Sequence, residues 1–558
     1  MLDRGFRAGM ALIAAMLVGV AGAQSVSVQI GDALRGIADA GQLADLRWPD
    51  FSDYRLHVQN FYGPSGYVPG WIQDGQPTRQ ALGIIDILQA AGDKGLNAED
   101  YDGSLWAGRV AHLRESASDS DRARFDAALT VCAMRYISDL HIGKVNPKYF
   151  HFGLDIEHKK YSLPDFLRQR VIAAQDVKAI LDEVEPPFPR YQRTEEALQR
   201  YVELARKDDG EQLTVPAKTL GPGSPYPGVP RLTRLLLLLG DLPPDTAVAA
   251  GADSGVYDGP LVSAVKHFQE RQGLRPDGRL DAQTVKALNT PLSFHVRQLQ
   301  LTLERWRWLP HEFTEPPIIV NIPEFHLRAY STMAEGDVAL AMNVIVGKAF
   351  GHKTPIFAET MQYVVLRPYW NVPPSIQRSE IVPAIQKSRD YIAKKDFEVT
   401  THSGEVVTSG AVSDEVLDQL RAGKLEVRQK PGPNNSLGLV KLIFPNSYNV
   451  YLHSTPAQEL FAQARRDFSH GCIRVEKPDE LVAWALRNNP GWDLARVREA
   501  MKSGKDNQRV NLAKPIPVFI LYGTAIVDEK GEAHFYDDIY GLDADLDKVL
   551  AKGYPYPG

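Results

Sequence analysis

Two residues in the last quarter of the chain, His453 and Cys472, have the types and spacing needed for covalent acyl transfer. They stand in YLHSTPAQELFAQARRDFSHGCIRV, residues 451–475, with 18 positions between them. A thiol is a weak nucleophile until ionised, since its unperturbed pKa lies near 8.5. A neighbouring imidazole can take its proton and hold the thiolate as an ion pair. The transition state also needs donors where the carbonyl oxygen becomes negative, and backbone amides in a tight turn supply them. Gly471 removes side-chain bulk just before the nucleophile, so the amides of Gly471 and Cys472 are the oxyanion candidates. The base needs a third group to orient it. No carboxylate stands out nearby, so the backbone carbonyl of Ser454 is the expected acceptor.

The elements that must position this pair can be read from the same stretch. His453 ends an apolar strand, NVYLH. Thr455-Pro456-Ala457-Gln458 predicts a helix start, with Thr as N-cap, Pro in the first turn and Gln three residues after the cap. Leu460, Phe461 and Ala464 would give that helix its buried face, ending near Asp467. SHGC then predicts a turn, with the Ser469 hydroxyl stabilising it, before the strand Ile473-Arg474-Val475.

Upstream, residues 30–215 read as mainly helical, with a helix expected from Thr194-Glu195-Glu196 to a stop at Gly210. GPGSPYPGVP, residues 221–230, is a linker by composition. A compact unit follows: a helix over 231–239 stopped by Gly240, a second through Val262, Val265 and Phe268, and a last around 284–288. From Pro316 the texture turns to strands rich in β-branched and aromatic residues. PVFILYGTAIVDEKGEAHFY predicts a hairpin around 528–532. Between Ile376 and Ser436 the pattern is helical, then charged, then rich in Gly, Pro and Asn, which predicts a helical insertion beside the site.

Arg4 and Arg7, an apolar run from Met10 to Val20 and Ala21-Gly22-Ala23 predict a secretory signal peptide; an uncleaved membrane anchor is the alternative. A net charge of -6 spread along the chain argues against nucleic acid as a partner. Two cysteines provide no disulfide framework. Cys132, amid Ala128, Leu129, Met134 and Ile137, reads as a small buried hydrophobe; a Cys132–Cys472 disulfide stays open as an alternative. His141, His151 and His402 occur singly and read as structural.

His453, fifteen intervening residues and Ser469-His470-Gly471-Cys472 resemble the active-site motif of L,D-transpeptidases with a YkuD-type catalytic domain. The family's Asn two residues after the cysteine is Arg474 here. The resemblance implies Cys472 as nucleophile, His453 as base and the Ser454 carbonyl as its orienter. It places His470 and Arg474 along the site, the latter facing a substrate carboxylate. YDGPLVSAVKHFQERQGLRPDGRLDAQTVKAL resembles the three-helix peptidoglycan-binding module, through Val265, Phe268, Gln269, Gly273, Leu274, Asp277, Gly278, Thr284 and Leu288. RYISDLHIGKVNP, IVGKAFGHKTPIF and PYWNVPPSI resemble the large YcbB-like subgroup, which implies Trp370, Asn371 and Tyr451 near the substrate groove; core packing is the alternative for Trp370 and Tyr451.

The expected fold is multidomain α+β. A signal peptide (1–23) precedes a helical scaffold (24–228, completed by 292–315). A peptidoglycan-binding-like module (229–291) and a β-rich catalytic domain (316–525) with an inserted cap (about 376–438) follow, then a C-terminal extension (526–558). The implied reaction joins peptidoglycan stem peptides by 3–3 cross-links through a Cys472 thioester, in the periplasm, without metal or organic cofactor. Glycan is the expected partner of the module, and carbapenem-type β-lactams are the implied inhibitors. Three alternatives remain. A carboxypeptidase would let water take the amine's place. A zinc site could use His453, His470 and Cys472. The third is a non-catalytic wall-binding scaffold.

Overall fold

The computed structural model describes residues 29–115, 117–247, 255–332 and 338–556. The expected signal peptide lies outside the described residues. Among the described residues no helix is long and apolar enough to cross a membrane.

The N-terminal region is helical around α1 (Asp119–Ile142). Ser118 caps it: its hydroxyl accepts from Asp121 N, while the Asp121 carboxylate reaches back to the cap. Nearly every side chain from Ala127 to Ile137 is buried, Cys132 at 0% exposure among them. A helix apolar all round must be packed on all sides, and α1 is the scaffold's central rod. The next long helix, α2, runs Pro189–Lys207 and so starts before Thr194 and ends before Gly210. Pro189 in its first turn costs no hydrogen bond, whereas the Thr194 hydroxyl donates back to Arg190 O inside the helix instead of capping it.

The small module holds α3 (Val229–Leu239), α4 (Pro260–Arg271) and α5 (Ala282–Leu288). Its Gln269 amide donates to Arg279 O and Thr284 Oγ1, and its oxygen accepts from Gly278 N. The polar residues shared with peptidoglycan-binding modules therefore staple the turn between two helices. The following helix α6 (Leu292–Trp306) packs on α2, with Leu198 and Tyr201 meeting Leu299 and Leu303.

The β-rich region from Ile318 is built on nine strands, with two separate small sheets beside it. In chain order the strands are β1 (Ile318–Asn321), β2 (His326–Tyr330), β3 (Val338–Gly347), β4 (Phe357–Leu366), β5 (Trp370–Asn371), β6 (Phe397–Thr400), β7 (Val406–Thr408), β8 (Glu426–Gln429), β9 (Val440–Ile443), β10 (Leu452–His453), β11 (Asp467–Ser469), β12 (Ile473–Val475), β13 (Gln508–Leu521), β14 (Ala525–Val527) and β15 (Ala533–Phe535). The nine-stranded sheet has the order β11-β3-β12-β10-β9-β4-β13-β1-β2. An additional β2–β3 pairing closes it on itself. Alternation decides its faces: Val440, Leu442, Leu452, Ile473 and Val475 all join the core, leaving their sequence neighbours on the other side. β14 and β15 form the expected hairpin, its turn closed by Asp528 N and Glu532 O, and it packs against α2 and α6.

The insertion is a mixed α/β subdomain, which corrects the helical expectation. β5 to β8 form a four-stranded sheet of order β7-β6-β8-β5, and Val399 and Val427 pack on Ile385, Leu417 and Leu420 beneath it. The pair Val399 and Val427 sits in runs too short and too charged to register as strands in sequence, yet it is buried against the subdomain's helices.

Candidate active site

Three adjacent strands build the site. Across β9, β10 and β12, Lys441 lies opposite His453 and His453 opposite Arg474, while Leu442, Leu452 and Ile473 align one residue away. The β10–β12 pairing is parallel, so Tyr451 and Cys472 fall on the same face as His453 and Arg474. Tyr451 O accepts from Ile473 N at 3.1 Å, extending the register to the thiol. One face is apolar core; the other carries Lys441, Tyr451, His453, Cys472 and Arg474.

His453 is 4% exposed, and its Nδ1 lies 2.6 Å from Ser454 O. A carbonyl can only accept, so Nδ1 carries the proton and Nε2 keeps its lone pair. Burial, then the Arg474 guanidinium, hold the imidazole pKa down to about 3. Cys472 is half-buried, and burial pushes its thiol above the ordinary range, although Tyr451, Arg474 and Lys441 pull the other way. Its Sγ contacts Asn449 O at 3.7 Å. Desolvation thus disfavours charge on both groups, and the two cations beside the imidazole oppose its protonation further.

The turn before the nucleophile is tightly held. Ser469 Oγ donates to Cys472 O at 2.6 Å and accepts from Gly471 N at 3.1 Å. Thr354 Oγ1 donates to Gly471 O at 2.8 Å. Gly471 has φ +115°, a conformation that side chains rarely adopt. Its N–H, expected to serve the oxyanion, is instead spent on the Ser469 hydroxyl. Of the two expected donors, Cys472 N is left for that role.

His470 Nε2 lies 2.6 Å from Glu380 Oε1 of the inserted subdomain, and its ring meets His352 edge-on at 4.8 Å. Arg474 is half-buried, and among the described residues its buried Nε has no hydrogen-bond partner. Tyr451 is half-buried, its ring 5.8 Å from that of His453; burial raises its phenol pKa.

Trp370 and Asn371 are not on this face. They form β5 of the inserted sheet, opposite Gln429 and Arg428. The Trp370 indole packs on the subdomain core, 6.0 Å from the Phe397 ring, and Asn371 is exposed. Nor do His453, His470 and Cys472 converge as metal ligands, since each is directed to a different partner. Among the described residues, the group with ligand atoms close enough to hold a metal is Asp528, Glu532 and His534, on the C-terminal hairpin.

The helix expected after His453 is reduced to a 3-10 turn over Gln458–Ala462. Arg466 explains the difference. Its guanidinium donates to Phe325 O, just before β2, at 3.1 Å and to Asn343 Oδ1 on β3 at 3.0 Å, pinning the segment there before a helix can run on. Sequence reasoning missed Lys441, Asn449 and Glu380. Alternation in Val440–Ile443 could have placed Lys441 opposite the core; Glu380 carries no local signal.

Residues 316–505 match the family model described as "L,D-transpeptidase catalytic domain", residues 57–198 a "Scaffold domain", and residues 226–288 a "Putative peptidoglycan binding domain". A curated relative from Haemophilus influenzae, named "Putative L,D-transpeptidase", is 31% identical over 293 residues. The match covers 51% of this chain, and the chain spans 58% of that relative's length. A solved L,D-transpeptidase from Xylanimonas cellulosilytica, residues 123–326, is 15% identical and covers 55% of this chain and 100% of its own. Its TM-score of 0.15 is too low to relate the two folds.

Proposed function

From a chain that carries a YkuD-type L,D-transpeptidase catalytic domain with a scaffold domain and a peptidoglycan-binding domain, we propose an enzyme that forms 3–3 cross-links between peptidoglycan stem peptides through Cys472. The observation that carries this reading is the shared sheet face of His453 and Cys472, with Ser454 O holding the imidazole so that Nε2 is free to accept a proton.

In the proposed cycle the donor displaces the thiol from Asn449 O. Sγ attacks the carbonyl between the diamino acid and the terminal D-Ala while its proton passes to His453 Nε2. The C–N bond breaks, the proton leaves with the D-Ala amine, and the acyl group stays on Cys472 as a thioester. The side-chain amine of a second stem then attacks, gives its proton to His453, and the C–S bond breaks to return the thiol. Burial disfavours charge on either group before substrate arrives, and the negative charge that develops on the carbonyl oxygen in the transition state is met by Cys472 N and the neighbouring cations. Export to the periplasm follows from the expected signal peptide, and carbapenem-type β-lactams should acylate the same thiol.

Incubating the purified protein with tetrapeptide stems and analysing the products by mass tests the reading. A 3–3 dimer with D-Ala release supports it. Tripeptide alone, with acceptor stems abundant, would make the protein a carboxypeptidase.

A further inference from the structure

A cavity of about 270 Å³ opens in the helical scaffold and shares no lining residue with the active site or the small module. Tyr54, Tyr161 and, from the C-terminal tail, Tyr554 and Tyr556 wall it, and Asp139 near the end of α1 lies among them. Space on this scale holds a small ligand, not a single bridging water. Two of its polar groups are left unsatisfied. Asp139 is 3% exposed; its Oδ2 accepts from Tyr101 OH at 2.6 Å and from Tyr554 OH, while its Oδ1 has no hydrogen-bond partner among the described residues. The Tyr161 hydroxyl is buried and likewise has none. The walls are already set around them: the Tyr554 and Tyr556 rings lie 4.7 Å apart, and Tyr161 stands edge-on to His141 at 4.8 Å.

A buried carboxyl oxygen and a buried hydroxyl without partners are unfavourable until a polar group reaches them. The charges around them narrow what that group can be. Asp53 and Asp139 line the cavity together with Lys144 and Lys160, and Lys144 is already paired with Asp100. Burial pushes the Asp139 carboxyl up to about 7, so the floor is no strong anion. A charged ligand of either sign would meet like charge as well as opposite; a neutral one carrying hydroxyls avoids both penalties. We propose that this cavity binds one neutral pyranose ring, so that the scaffold holds a saccharide independently of the small module. A pyranose offers an apolar C–H face to tyrosine rings and a rim of hydroxyls that can donate to Asp139 Oδ1 and accept from Tyr161. Naming the wall glycan as its source rests on the transpeptidase reading above; the chemistry of the cavity does not.

The test titrates the full-length mature protein with N-acetylglucosamine, cationic glucosamine and anionic glucuronate, followed by saturation-transfer NMR. The neutral sugar should bind most tightly. Tyr161→Phe removes a hydroxyl that bonds to no protein group, so it should weaken that binding about 3- to 10-fold, the range of one hydrogen bond, without lowering the denaturation midpoint. A diazirine-bearing N-acetylglucosamine should label peptides from residues 138–163 or 554–556 on mass mapping. Absence of saturable binding, equal affinity in Tyr161→Phe, tighter binding of either charged sugar, or label confined to residues 229–288 would each overturn the inference. Acylation of Cys472 by sugar-free stem peptides, read by intact mass, should be the same in Tyr161→Phe as in the unmodified enzyme. If no stem acylates Cys472 while the sugar labels the cavity, the transpeptidase reading fails and the saccharide site stands.

Discussion

Glu380 of the inserted subdomain accepts a hydrogen bond from His470 Nε2 at 2.6 Å, two residues before the nucleophile in sequence. The subdomain therefore touches the turn that presents Cys472. Its return linker bears on the other half of the pair. Gly438 has φ +61°, and a Cβ there would collide with Ser454, whose carbonyl holds His453. Only glycine fits that approach. The segments that hold Cys472 and His453 are thus both in contact with one insertion, at its first helical turns and at its exit.

Such contact matters because an amine acceptor must outcompete water for the thioester, which needs positioning and partial exclusion of solvent. Glu380→Gln should raise the ratio of hydrolysed tripeptide to 3–3 dimer while leaving acylation of Cys472 intact. The pair is partly exposed, so the shift should be modest, about two- to five-fold. Chromatography of the products at fixed acceptor concentration reads it; an unchanged ratio would assign the contact to folding alone.

The state of the resting pair predicts how the thiol titrates. Burial raises the Cys472 pKa, which disfavours the thiolate, so alkylation by iodoacetamide should increase with pH and have its midpoint above about 8.5. Arg474→Gln removes a cation that favours the thiolate and should move the midpoint higher still. A midpoint below neutrality would mean that a thiolate–imidazolium pair forms before substrate binds.

The chemistry-bearing stretch was largely legible in sequence because a thiol, an imidazole and a glycine turn announce themselves by residue type. The strand ending at His453, the Ser469 turn and the Ile473–Val475 strand all follow local patterns. What was not legible depends on distant partners. Arg466 overrides the helix signal at Thr455-Pro456 by bonding to strands more than a hundred residues away. The subgroup resemblance implied Trp370 near the groove, with core packing as the alternative; its pairing with Gln429 places it in another sheet, packed on the core of the insertion. Lys441 needed the register across β9, β10 and β12, which no single strand contains.

Buried histidines make stability depend on pH. His295 is 4% exposed, its Nδ1 is 2.8 Å from Gln298 Oε1, and burial first of all holds its pKa down to about 4. The unfolded chain, with a pKa near 6.5, binds the proton more readily. Stability from this group is therefore complete above about pH 6.5 and is lost as pH falls toward 4, at about 1.4 kcal/mol per pH unit. His453, held at about 3, adds to the slope in the same direction. His295→Gln should flatten the dependence of denaturation midpoint on pH between 6.5 and 4; an unaltered slope would show that His295 does not titrate there.

The two cysteines should behave oppositely. Cys472→Ala should abolish acylation and product formation. Cys132 lies at 0% exposure within α1, and burial raises its thiol pKa. Cys132→Ala should leave turnover nearly intact and lower stability by about 1 kcal/mol through a small cavity. Mass mapping after alkylation of the folded protein should find the label on Cys472. Equal loss of activity from both changes, in folded proteins, would sink the assignment.

Arg271 decides what the small module does for the enzyme. It is 4% exposed and forms a two-point pair with Asp241 inside the module. It also donates to Tyr201 OH on α2 at 3.2 Å and to Ala533 O on β15 at 3.0 Å. One guanidinium thus ties the module to the scaffold and to the C-terminal hairpin of the catalytic region. Removing it would leave Asp241 buried without its guanidinium; among the described residues His267 Nδ1 stays beside it at 2.6 Å. Breaking a buried pair in this way typically costs about 3–5 kcal/mol. Arg271→Met should accordingly lower the denaturation midpoint and, if the module is a clamp, reduce activity on soluble stem peptides as well as on intact sacculi. A module that serves only to concentrate the enzyme on glycan would show the loss on sacculi alone. Measuring both substrates at a temperature where the variant remains folded separates the two roles, and the shared guanidinium favours comparable losses on both.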